Sequence, residues 1–147
     1  MAGRSVSGAG GPGGRREKTY TGSCHCSAVR FEARIDLSRP TYRCNCSICS
    51  RTRFWPAIVS PDRFRLLAGE GAMTKYLFNS MQNEHWFCRT CGVRPFGIGH
   101  LPDGNRIYGV NIGCLEGVPP EDLAAAPVVY VDGLHDAMTP PGITSYL

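Results

Sequence analysis

Three of the eight cysteines in this 147-residue chain fall within six positions, Cys44-Asn45-Cys46-Ser47-Ile48-Cys49. Four more form two pairs, Cys24-His25-Cys26 and Cys88-Arg89-Thr90-Cys91, and Cys114 stands alone. In an extended segment residues i and i+2 face the same way, so a C-x-C presents two sulfurs side by side. A C-x-x-C turn aims both thiols at one ion, and Gly92 permits the tight backbone that follows it. One C-x-C and one C-x-x-C together supply four thiolates, the closed tetrahedral set of structural zinc. The cluster of three supplies a tripod from one loop, and three protein ligands with a fourth position open is the pattern of catalytic zinc. The spacing therefore proposes two zinc ions per chain. Two alternatives stay open at this level. Cys114 could close the second site, although its apolar setting, "NIGCL", reads as a buried core thiol. Cys24 and Cys26 could instead pair with two of the central three, which leaves an odd thiol beside Cys88 and Cys91.

The rest of the composition fits metal better than disulfides. The N-terminus carries no apolar stretch of signal-peptide type, so the cysteines are expected in a reducing compartment, the cytoplasm, where clustered thiols bind metal. No apolar run is long enough to span a membrane. The net charge is +4, and most of the excess sits in Arg4, Arg15, Arg16 and Lys18 near the N-terminus. A nucleic-acid binder carries its basic stripe on the folded part, so nucleic acid is not an expected partner. Residues 1–17, rich in glycine, are expected to form a disordered tail. Residues 18–135 form the expected domain and 136–147 a C-terminal tail.

The segments that must hold these thiols are short strands between turns. In "AVRFEARI", Val29, Phe31, Ala33 and Ile35 alternate with Arg30, Glu32 and Arg34, the period of a half-buried strand. "FWPAIVS" contains Pro56, which predicts an edge strand or a bend. "HWFCRTCGVRPFGIG" reads as strand, metal knuckle, strand; the Pro-Asp-Gly at 102–104 as a turn; and "RIYGVNIGCL" as a strand. Only "PPEDLAAAP", with Glu121 and Asp122 near its start, predicts a helix, of two turns at most. The fold class is all-β: a compact, zinc-braced fold of several small antiparallel sheets with little helix.

Taken in order, "GSCHCSAVRFE", "CNCSICSR", "LLAGEGAMTKYLFN", "FCRTCGVRPF" and "GVNIGCLEG" resemble the glutathione-dependent formaldehyde-activating enzyme family, which includes centromere protein V. The resemblance covers about residues 18 to 118. It implies a structural zinc on Cys24, Cys26, Cys88 and Cys91 and a second zinc on Cys44, Cys46 and Cys49. It also implies the activity of a carbon–sulfur lyase of the S-(hydroxymethyl)glutathione synthase type, joining glutathione to formaldehyde. Two positions depart from the pattern: Ser27 stands where glycine is usual after the first C-x-C, and Ser50 where a basic residue is common.

An open zinc position lowers the pKa of an incoming thiol and supplies its thiolate at neutral pH. Three thiolates on Zn²⁺ already sum to −1, which makes the ion a weak Lewis acid for a carbonyl and favours delivery of the thiol. Arg51, Arg53 and Arg94 are candidate contacts for glutathione's carboxylates, since a guanidinium grips a carboxylate with two bonds. Phe54 and Trp55 are candidate walls, although core packing also accounts for them. His25 should point away from its flanking thiols, and His85, His100 and His135 read as surface or hydrogen-bonded structural residues. Asn45 reads as a local hydrogen-bonding residue. The competing function is a zinc-stabilised binding module for protein or nucleic acid, without turnover, which closure of the second site would favour.

Overall fold

The computed structural model describes residues 16–147. The tail expected at residues 1–17 lies outside the described residues except for Arg16 and Glu17. Glu17 makes an ion pair with Arg63, one residue before β1 (Lys18–Ser23) begins.

The alternating apolar segment becomes β2 (Arg30–Ile35). Its inward residues Phe31, Ala33 and Ile35, with Val29 just before it, are almost wholly buried. β2 pairs antiparallel with β1 on one side and with β5 (Phe64–Ala68) on the other, forming a three-stranded sheet. The second sheet contains β3 (Thr41–Cys44), β4 (Pro56–Val59), β6 (Met73–Tyr76), β7 (Glu84–Cys88), β8 (Phe96–His100), β9 (Arg106–Asn111) and β10 (Val128–Val131). Its order is β10-β3-β4-β9-β8-β7-β6. Apolar side chains fill the space between the sheets, with Phe31, Val110 and Ile112 at the centre and Phe64 stacked between Phe31 and Tyr108. A second cluster places Val29, Met73, Phe96 and Ile98 around Cys24 and Cys88. The first pair of thiols is thus rooted in the apolar interior.

The fold is mostly β, as expected, and among the described residues every strand pair is antiparallel except β3 with β10, which run parallel. Parallel neighbours need a long connection, and here nearly all of the second sheet intervenes. Pro56 does not mark an edge. β4 lies inside the sheet, and the proline is its first residue, where its missing N–H costs least. The strand expected through residue 115 stops at Asn111. The Asn111 side chain accepts the Gly113 N–H at 3.0 Å and starts a 3₁₀ turn over Ile112–Cys114. Among the described residues helix is limited to α1 (Cys49–Thr52) and α2 (Pro120–Ala125), together with short 3₁₀ turns. α2 is the segment that the sequence predicts, with proline at its first position. No helix among the described residues is long and apolar enough to cross a membrane.

Candidate metal centres

Cys24 and Cys26 do not lie on an extended strand. Cys24 follows the last residue of β1, and the chain then turns. The turn passes through Ser27 at φ 68°, the left-handed region that disfavours any side chain with a Cβ. A glycine at this position would meet no such penalty. The turn still brings the two sulfurs to 3.7 Å. Cys88 ends β7, and the 88–92 turn closes with the Gly92 N–H on the Cys88 carbonyl at 2.8 Å and Gly92 at φ 79°. Cys26 Sγ stands 3.6 Å from Cys88 Sγ. Four sulfurs about 2.3 Å from a tetrahedral zinc are about 3.8 Å from one another. All four sulfurs lie within 4.8 Å of each other, so the donor set and its spacing fit zinc.

Amide groups are aimed at this sulfur cluster. Val29 N–H donates to Cys24 Sγ at 3.3 Å and Cys91 N–H to Cys88 Sγ at 3.5 Å. Such donors favour the thiolate. Burial works against ionisation of Cys91, yet the amides of Val93 and Cys26 and the neighbouring thiols pull it down to about 6.

The tripod is built at the junction of three local structures. Cys44 is the last residue of β3, Cys46 lies in the bend that follows, and Cys49 opens α1. The three sulfurs lie within 4.8 Å of one another, and no fourth His, Cys, Asp or Glu among the described residues joins the group. Cys46 N–H donates to Cys44 Sγ and Cys49 N–H to Cys46 Sγ, each at 3.4 Å. Hydrogen bonds from Cys44 and Cys49 pull the Cys46 thiol down to about 2, while contacts with Cys44 and then Cys46 push Cys49 up. The three thiols therefore titrate as one coupled group. Cys44 and Cys49, but not Cys46, border a small cavity of about 10 Å³ together with Arg43, Arg53, Phe54 and Leu147. Three soft thiols this close are a donor set that suits zinc.

Two long-range contacts fix the tripod loop. The Asn45 amide donates to Asp132 Oδ1 at 2.9 Å and its carbonyl oxygen accepts the Leu134 N–H at 2.9 Å. Asn45 is therefore a hydrogen-bonding residue, but its partners lie beyond β10. Gly133 packs directly on Cys44 and Cys46, so closely that a Cβ there would collide with Cys44 Sγ. Parallel pairing of β10 with β3 brings this segment in. No local spacing in the sequence signals it.

The remaining candidates separate. Cys114 belongs to neither sulfur group. It is buried in the first apolar cluster, and desolvation raises its pKa to about 11. Arg51 turns back on its own loop and donates to the Ser47 carbonyl at 2.7 Å. It also lines a groove of about 420 Å³ with Ser47, Ile48, Thr52, Tyr76 and Phe78. Arg53 caps α1 in the left-handed region at φ 56° and donates to the Tyr146 carbonyl at 2.7 Å. The segment expected to be a C-terminal tail thus reaches the tripod's surroundings. Trp55 donates to Thr41 Oγ1 at 2.8 Å, and the Arg43 guanidinium lies over its ring. His100 pairs with Glu84 at 2.7 Å and His135 with Asp132 at 2.9 Å.

Two residues come to the site from a distance. Arg94, three positions after Cys91, lies under the Phe54 ring with its guanidinium carbon 3.8 Å from the ring centre. Its electrostatic neighbours are Cys49 and Cys46. His85 stacks on Phe78 and is held neutral: burial first, and then Arg94, lower its pKa to about 4. The sequence offers Arg94 as a cation near a knuckle but gives no signal that it reaches the other sulfur group.

A crystal structure of a Rhodobacter sphaeroides protein is similar to this chain, with a TM-score of 0.63 and 35% sequence identity over 74% of this chain and 99% of the other. The family model for the glutathione-dependent formaldehyde-activating enzyme matches residues 19–132. That span takes in both sulfur groups, Arg94 and the strands that carry them, and the chain belongs to the glutathione-dependent formaldehyde-activating enzyme family.

Proposed function

We propose that this protein is a zinc-dependent carbon–sulfur lyase that joins a thiol, glutathione, to formaldehyde. The family's chemistry is formaldehyde activation with glutathione. Cys24, Cys26, Cys88 and Cys91 hold a structural ion, and Cys44, Cys46 and Cys49 hold a second ion at the reacting centre. The observation that carries this reading is the difference between the two sulfur groups: one supplies four ligands and the other three, with no further ligand-type atom within 4.8 Å of all three sulfurs among the described residues. Zinc held by the tripod would supply a site that binds an incoming thiol as its thiolate.

The chain's own residues do the rest. Amide-to-sulfur bonds and the Asn45–Asp132 clamp keep the three thiols in one geometry. The groove beside Ser47 and Ile48 is large enough for a tripeptide thiol's arms, and Tyr76 and Phe78 give it apolar walls. Arg51 uses one nitrogen on Ser47 and keeps donors for a carboxylate. Arg53, at the end of α1, likewise uses one nitrogen, on the Tyr146 carbonyl, and keeps donors for a carboxylate. In the overall reaction a bond forms between the glutathione sulfur and the aldehyde carbon. The carbonyl π pair moves to oxygen, and the thiol proton ends there. A reducing compartment, the cytoplasm, suits eight free cysteines.

The test is X-ray absorption at the zinc edge during titration with glutathione. A new sulfur ligand on about half of the zinc supports the reading, and an unchanged ligand shell at millimolar glutathione overturns it. Alanine at Cys46 should remove one zinc and leave the fold. Alanine at Cys88 should unfold the domain, since a structural zinc site contributes directly to folding free energy.

A further inference from the structure

Among the described residues, the buried side-chain nitrogens without a hydrogen-bond partner are His85 Nδ1 and Arg94 Nε and Nη1. The arginine is the more demanding case, because a guanidinium stays charged and a buried charge needs a counter-charge. No carboxylate among the described residues pairs with it. Phe54 covers one face at 3.8 Å. Gly97 lies against the guanidinium edge, so close that a Cβ there would stand 2.7 Å from Arg94 Nη2. Phe54 and Gly97 therefore bound the guanidinium on one face and one edge. The groups it faces electrostatically are the sulfurs of Cys49 and Cys46. No sulfur stands within hydrogen-bond reach of Nε or Nη1, so the guanidinium answers the tripod through its charge rather than through a hydrogen bond at those two atoms.

We infer that Arg94 is the resident counter-cation of the Cys44–Cys46–Cys49 tripod. This rests on the reading that the tripod holds zinc. Three thiolates and one Zn²⁺ sum to −1, and the guanidinium brings the buried group to zero. A fourth thiolate then raises the charge to −1 rather than −2, so the same residue favours both retention of the ion and acceptance of the substrate sulfur. Arg94 acts through the tripod sulfurs and is a positioning residue. Its location after the Cys88–Cys91 knuckle also separates this role from a merely structural one. A structural role would be felt first at the four-cysteine site next to it in the chain.

The experiment is chelator competition on the zinc-loaded full chain, resolving the two zinc affinities. R94M should weaken the tripod's zinc by about 10- to 100-fold and leave the four-cysteine site unchanged. R94K should recover part of the loss, since it restores charge without the planar fork. G97A keeps the charge but displaces the guanidinium, so it should weaken the same site in the same direction, and it carries the test should R94M not fold. Equal zinc binding by R94M and the unaltered protein overturns the inference and leaves the proposed function standing. Loss at both sites together also overturns it, by making Arg94 structural. If the unaltered protein takes up a single zinc, the tripod reading itself fails and the inference falls with it.

Discussion

Substituting Gly133 by alanine adds one methyl group and tests whether the tripod depends on a segment far along the chain. The new Cβ would lie under 3.0 Å from Cys44 Sγ and 3.1 Å from Cys46 Cβ. Ordinary heavy-atom contact begins near about 3.5 Å, so the sulfur or the Gly133 backbone must move by more than about 0.5 Å. The backbone is not free to yield. β10 is hydrogen-bonded to β3 immediately before it, and the Leu134 N–H immediately after it is held by Asn45. The sulfur is the softer partner. A metal site tolerates ligand displacements of only about 0.2 Å, so the displaced Cys44 can no longer share an ion with Cys46 and Cys49. The expected result is loss of one zinc per chain, measured by metal analysis after gel filtration, with a stability cost of about 1–3 kcal/mol typical of overpacking. Full retention of both ions at unaltered affinity would refute the claim that this glycine is kept small by the tripod.

Three further outcomes follow from the same geometry. S27G should raise the thermal midpoint of the zinc-loaded protein, because it relieves a left-handed residue worth about 1–2 kcal/mol; a lower midpoint would contradict the turn geometry. Graded chelation should strip the tripod's zinc before the four-cysteine site's, read as two release phases, since three ligands and an accessible position exchange faster than a closed set. The third concerns pH. Burial opposes ionisation of Glu84, but hydrogen bonds from His100 and Trp86 hold its pKa below the usual 4.5. Its folded-state pKa lies below its unfolded one, so its contribution is complete above about 4.5 and fades as pH falls through the folded value. E84Q should be less stable than the unaltered protein at pH 7, and the gap between their urea midpoints should shrink at pH 4.

The parts of the fold that are local in the chain are legible in its sequence. Val29, Phe31, Ala33 and Ile35 mark β2 by alternation, and the two knuckles mark themselves by spacing. Where a single side chain decides the path, periodicity says less: Pro56 opens an interior strand, and Asn111 ends β9 by bonding Gly113. The candidate site shows the same division. The seven clustered cysteines are visible as ligand-type residues, whereas their surroundings come from sheet topology. Arg94 reaches the tripod because β7, β8 and β9 lie side by side with β4, and the 132–134 segment reaches it because β10 pairs with β3. Neither contact leaves a trace in local sequence, because the partners are 40 to 90 positions apart. The C-x-C at 24–26 is a milder case: two sulfurs do converge, but through a turn with a strained serine rather than an extended strand.

The parallel pairing of β10 with β3 also sets an order of assembly. Loops that close between distant segments are slow to form and come late, and chains emerging from the ribosome fold from the N-terminus onward. The four-cysteine site has all its ligands once residue 91 has emerged. The tripod has its three sulfurs by residue 49, but the Asp132–Leu134 clamp that holds their loop arrives about eighty residues later. A nascent chain is therefore braced at one ion well before the other site is finished. A chain of which only the first 115 to 125 residues are free to fold would hold the central core residues Val110 and Ile112 and a reactive, unclamped trio of thiols.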